Sequence, residues 1–243
     1  MCAADVLVAA PWAKLLDYPL LDQATSADGA QMFQAILRRR RLNGTPQVVN
    51  NSYGFYGIPL QADMPEYEAW DLGHPFHRKI REVNASGAAL FFAAGNCGND
   101  CPSRNCRASA TGPERSINAA AALVDVFTIA AVNSQHERVG YSAQGPSLDA
   151  PGFERNKPDF TAYTHFFGNF GPSRPGGLAQ PFDNGTSAAT PVAAGVAALL
   201  ISAFPSLTPD RLRAALRAGA IEVRAPGWDP LHGYGIINAA ASY

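Results

Sequence analysis

Charge is scarce in this sequence. Asp, Glu, Lys and Arg make up 16% of its 243 residues, and the net charge is -1. That balance gives no general electrostatic case for nucleic acid or for an anionic membrane surface. Long apolar runs are lacking too: the longest, Pro191 to Ile201, falls short of the ~18 residues expected of a membrane span. The first residues lack the basic and apolar regions of a signal peptide, and Met1-Cys2 reads as a cut through a longer chain. Repeats, low-complexity tracts and clear linkers are absent, so residues 1–243 are expected to form one domain. Cysteine is sparse: Cys2, Cys97, Cys101 and Cys106. Three of the four share one short loop, which suits a disulfide in an exported protein better than a zinc site, where a second close pair is wanted.

What is present is 47% hydrophobic, enough for a globular core. Val8 to Leu21 reads as a loop leading into a buried strand. Met32, Phe33, Ile36 and Leu37 mark one face of a helix that runs to about Arg41 and is ended by Asn43-Gly44. Arg38 to Arg41 is read as a solvated helix end. Gln47 to Asn51 is a short strand, and Pro75 to Val83 a surface helix flanked by surface histidines, His74 and His77. Ala88 to Ala94 and Val124 to Val132 are apolar on both faces, as buried parallel strands are. Asn133 to Gln180 lacks periodicity. Ala188 to Phe204 is apolar nearly all round, a buried helix stopped by Pro205. Thr208-Pro209-Asp210 opens a last helix with Leu212, Ala215 and Leu216 inward and Gly219 at its end. Strands alternating with helices imply a doubly wound, mostly parallel α/β sheet with helices on both faces.

Three segments carry chemistry. In Asn184-Gly185-Thr186-Ser187-Ala188-Ala189-Thr190-Pro191, Ser187 opens a buried helix, whose free N–H groups face any reacting centre. Gly185 allows close backbone approach, and Pro191 is placed in the first turn. A plain Ser N-cap is the alternative. In Phe92-Ala93-Ala94-Gly95-Asn96, a buried strand ends in a glycine and an amide able to donate to an oxyanion; an ordinary turn is the alternative. In Asn50-Asn51-Ser52-Tyr53-Gly54, a strand runs into an extended edge that could pair with a peptide, or is ordinary loop.

In this order the three segments resemble the subtilisin-like (subtilase) serine peptidases. The resemblance extends over nearly the whole chain. It includes Ala10 to Leu15, Tyr141 to Pro146, Lys157-Pro158-Asp159 and the closing Gly233 to Ala240. It implies Ser187 as nucleophile and Asn96 as oxyanion donor. Ser52, Tyr53, Gly54, Ala93, Ala94 and Gly95 would line a protein or peptide substrate. The family's Asp-Ser/Thr-Gly-like and His-Gly-Thr-like motifs are expected ahead of the region where this chain starts, and neither appears. None of His74, His77, His136, His165 and His232 is followed by Gly-Thr, and Asp17 and Asp22 lie outside any such motif. No histidine or aspartate here is therefore assigned to a triad, and no metal or cofactor is assigned, calcium being left open. The chain thus resembles the C-terminal two-thirds of a catalytic domain. A truncated peptidase, an inactive peptide-binding module, and one part of a peptidase completed by a missing N-terminal segment all fit. Export is implied by the resemblance and the clustered cysteines.

Overall fold

The structure, a computed structural model, describes residues 1–20, 25–55, 63–117, 119–166 and 182–243. Four strands, β1 (Val48–Asn51), β2 (Ala89–Ala93), β3 (Phe127–Val132) and β4 (Phe160–Tyr163), form one sheet in the order β1-β2-β3-β4. Every neighbouring pair is parallel, with Val49 opposite Leu90, Phe91 opposite Phe127 and Ile129 opposite Phe160.

Alternation along β2 decides which helices lie where. Leu90 and Phe92 pack with Phe33, Ile36 and Leu37 of α2 (Ser26–Asn43) and with Ile80 and Val83 of α3 (Pro75–Ala85). Ala89 and Phe91 pack with Ala193, Ala197 and Leu200 of α4 (Thr186–Ala203) and with Leu212 and Leu216 of α5 (Pro209–Gly219). The result is an α/β sheet with helices on both faces. Phe91 and Phe127 stack at 4.7 Å between centroids, both fully buried. Truncating such a ring to Ala costs about 3–5 kcal/mol.

Helix ends follow local chemistry. At α2, Thr25 Oγ1 accepts the Asp28 N–H (3.2 Å) and the Asp28 carboxylate accepts the Thr25 N–H (3.0 Å), a capping box that the apolar pattern from Met32 onward does not reveal. Gly44, at φ 74°, closes that helix. Thr208 caps α5, with Pro209 as its first residue. At α3, His74 is the cap: its Nδ1 accepts the Phe76 N–H.

Four expectations need correction. Residues 2–9 form a helix, α1 (Cys2–Ala9), and the described stretch that follows, to Leu20, has no strand. Gly195 makes room for α1 on α4, since a Cβ there would lie 2.6 Å from the Val6 carbonyl. Second, β4 lies inside the stretch read as aperiodic; four residues beside Pro158 are too few to show a period. Third, α3 is no mere surface helix and His77 is no surface histidine: His77 is 1% exposed, alongside buried Phe76, Ile80 and Val83. Fourth, Arg40 is half-buried rather than solvated. Its guanidinium donates to the carbonyls of Gly44, Pro46 and Ser86, fastening the end of α2 to the turn before β2.

Candidate active site

The C-terminal ends of β1 and β2 and the N-terminus of α4 meet at one cavity of about 260 Å³. Open parallel sheets place ligands at this edge, where strands hand over to loops. Gly185, at φ 87°, is the N-cap of α4 and supplies no side-chain cap. Its N–H donates to Tyr141 Oη (2.8 Å), and its carbonyl accepts from Thr164 Oγ1 (3.0 Å). The turn before Ser187 is therefore held from both sides. Ser187 does not act as a cap: its Oγ donates to the Ser52 carbonyl at 2.9 Å.

Pro191 lies in the second turn of α4 rather than the first, and its missing N–H has a consequence. The carbonyl four residues back, that of Ser187, is left without a helical donor. Cys2 fills the gap, with its Sγ 3.4 Å from the Ser187 carbonyl. Burial raises the Cys2 pKa, keeping it a thiol.

Asn96 is oriented by the same turn. Its Oδ1 accepts Thr186 N–H (2.9 Å) and Thr186 Oγ1–H (3.0 Å). Because Thr186 N–H can only donate, the amide oxygen must face it, which leaves Nδ2 as the free donor. That Nδ2 lies 3.4 Å from where a Gly185 Cβ would stand. Thr186 Oγ1 also accepts the Gly95 N–H (3.2 Å), tying the end of β2 to α4. Thr186, Tyr141, Thr164 and Cys2 were given no site role by sequence reasoning, although Thr186 stands beside Ser187 and Tyr141 opens one of the segments that carry the resemblance.

Ser52, Tyr53 and Gly54 form one cavity wall, and Ala93, Ala94, Gly95 and Asn96 another. The structure thus brings all the sequence-derived site residues together. The Tyr53 ring meets Phe92 edge-on at 6.4 Å; its hydroxyl has no hydrogen-bond partner among the described residues, and burial raises its pKa. Further walls are alanines, Ala110 and Ala119 to Ala121, and no charged side chain is among the described lining residues.

None of the five histidines hydrogen-bonds to Ser187. His165 Nε2 lies 2.9 Å from Tyr141 Oη, and His136 Nε2 lies 2.8 Å from Tyr163 Oη. His232 Nδ1 is 3.3 Å from Asp229, an i,i+3 pair that the sequence reading passed over. That pair lies in the closing segment, which joins the chain beside Asp159, before β4 begins and so at the opposite edge of the sheet. Asp22 falls outside the described residues.

Beneath Ser187, α1 buries Asp5 completely, and no donor among the described residues reaches either of its carboxyl oxygens in hydrogen-bond geometry. Asp183 is its acidic neighbour, also buried. Burial first, then Asp183, pushes the Asp5 pKa up to about 8. The loop after Asn96 is closed by a Cys97–Cys106 disulfide, as expected for that cluster, while Cys101 is a free, exposed thiol.

The model of the subtilase family of peptidases (S8) matches residues 4–235. The chain is 28% identical to a thermostable alkaline protease of Halalkalibacterium halodurans over 236 residues, 96% of this chain and 52% of that protein. It is 31% identical to the serine protease AprX of Bacillus subtilis over 175 residues, 69% of this chain and 38% of that one. The chain thus spans about half, or less, of these curated relatives. Among solved structures, a lanthipeptide protease superposes with TM-score 0.72 at 20% identity, covering 99% of this chain and 73% of that one. Sphericase gives TM-score 0.64 at 19% identity, covering 90% and 66%. The parallel sheet, the ordered segments around Ser187 and the extent of the family match lead to one conclusion: the chain belongs to the subtilase family.

Proposed function

We propose that this chain carries the nucleophile of a serine endopeptidase and works with a histidine and an aspartate supplied from outside residues 1–243. The observation that carries this reading is the shared turn of Ser187, Thr186 and Asn96. One hydrogen-bond set aims the Asn96 Nδ2 donor at the start of the helix that presents Ser187. In the reaction, Ser187 Oγ attacks the scissile carbonyl carbon, its proton passes to the external imidazole, and an acyl-enzyme forms as the amine leaves. Asn96 Nδ2 and the Ser187 N–H stabilise the oxyanion. Peptide backbone runs along Ser52 to Gly54 and Ala93 to Gly95, with a side chain in the uncharged cavity.

A second reading, a peptide-binding module without turnover, draws support from the Ser187 Oγ hydrogen bond, which goes to Ser52 rather than to an imidazole. A fluorophosphonate probe separates the readings. Residues 1–243 alone should give neither stoichiometric Ser187 labelling nor peptide turnover; both together would place the base within this chain. The full-length protein should label at Ser187 and lose turnover in Ser187→Ala. Peptide binding without labelling of the full-length protein would favour the inactive module.

A further inference from the structure

A second cavity, of about 150 Å³, adjoins the one beside Ser187, and Phe55, Phe76 and Ala119 line both. The second cavity has ionisable side chains, Glu68, His74 and His77, where the described lining of the first has polar but no charged ones. His77 lines it while being 1% exposed. His77 Nδ1 lies 2.9 Å from the Asp71 carbonyl, which can only accept, so Nδ1 carries the hydrogen and Nε2 the lone pair. Among the described residues, no donor serves that Nε2. Burial holds the His77 pKa below its ordinary value, which keeps the ring neutral.

Ser26, Tyr67 and His74 also line it, and its acidic group is Glu68, half-exposed and held in place. Ser26 Oγ donates to its carboxylate at 3.3 Å, and His74 Nε2 lies 3.3 Å away. His74 Nδ1 already accepts the Phe76 N–H, so His74 Nε2 keeps its hydrogen and faces Glu68 as a donor. The cavity is thus lined by a neutral imidazole whose Nε2 has no donor among the described residues, a carboxylate and two aromatic rings 5.7 Å apart, Phe55 and Phe76. Neither Lys nor Arg is among its described lining residues. The described lining thus holds a carboxylate with no Lys or Arg facing it, and an imidazole nitrogen with no described donor.

We propose that this second cavity is a subsite for a cationic side chain, a lysine ammonium or an arginine guanidinium of the peptide in the cleft. Its N–H groups donate to His77 Nε2 and to Glu68, and its carbon stem lies along the Phe55 and Phe76 rings. Those two rings also line the cavity beside Ser187, so the cation reaches the subsite from the same cleft. The inference rests on the peptide-cleaving reading for the source of the cation, and on the local chemistry alone for its charge.

Two probes separate these parts. The first is n-butylamine, titrated into the purified protein with ¹⁵N-labelled histidine, against 1-butanol as neutral control. The His77 ring resonances should shift with the amine and not with the alcohol. Glu68→Gln should weaken amine binding by about tenfold, the value of one charge-assisted contact. Equal response to amine and alcohol, or no effect of Glu68→Gln, would overturn the cation site. Since His77→Phe also removes the hydrogen bond to Asp71, Glu68→Gln is the deciding variant. The second probe is a pair of peptides differing only as lysine or norleucine, compared by equilibrium binding. The lysine peptide should bind about tenfold tighter, and Glu68→Gln should erase that preference. Equal binding of the pair overturns the peptide assignment. A lysine preference without peptide turnover supports the subsite while removing the peptidase reading.

Discussion

Asn96 Oδ1 accepts the N–H of Thr186 at 2.9 Å, joining the end of β2 to the start of α4 across 90 residues of sequence. The amide therefore has one orientation, with Nδ2 free. In full-length, active protein, Asn96→Ala should lower kcat by ~10²–10³ with little change in KM. That magnitude is taken from the corresponding donor of a subtilisin, a family relative. Steady-state kinetics check it, and an unchanged kcat would remove Asn96 from the mechanism.

The Cys97–Cys106 bridge closes a short loop directly after Asn96, with a sequence separation of 9. A loop of that size stabilises by at most about 3 kcal/mol through chain entropy. Cys97→Ser should therefore lower unfolding free energy by up to that amount in denaturant titration. Mass spectrometry of unreduced peptides should find Cys101 alkylated and Cys97 linked to Cys106. Three alkylated cysteines in this loop would refute the pairing.

Asp5 makes stability depend on pH in a definite direction. Its folded pKa, about 8, lies above the ~3.9 of an unfolded Asp. A raised pKa contributes stability below the unfolded value that is lost as pH rises through the folded one. Thermal stability should therefore fall between about pH 4 and pH 8. Asp5→Asn, neutral and of the same shape, should flatten that decline. A melting profile identical to the parent's over this range would show that Asp5 is not buried as described.

Lys157 is fully buried, donates to the Val126 carbonyl (2.6 Å), and pairs with Asp159 (2.6 Å), which Arg213 also contacts. Removing one partner of a buried pair strands the other. Lys157→Met should destabilise by about 3 kcal/mol, with Arg213 limiting the loss. Burial also lowers the Lys157 pKa to about 8. Between about pH 8 and 10.4 the unfolded chain holds more protons, so this residue's contribution to stability should rise with pH there. Chemical denaturation of both proteins at pH 7 and pH 9.5 measures both effects.

The sequence by itself determined the sheet's interior strands, the apolar faces of α2, α4 and α5, and the three segments around Ser187, Asn96 and Ser52. Those features are local. Apolar runs such as Ala88 to Ala94 fit only a strand covered on both faces, and Thr208-Pro209 opens a helix whatever surrounds it. Tertiary structure alone decided the rest. Nothing near Cys2 in sequence predicts that its thiol meets the carbonyl freed by Pro191, because the two are 185 residues apart. His77 looks like a surface residue beside charges, yet the fold buries it against the Phe153 ring and brings its Nδ1 to the Asp71 carbonyl. The same folding brings Asp5 down on Asp183, a juxtaposition no local preference would select. Such contacts cost free energy one residue at a time, and the burial of the whole core outweighs them.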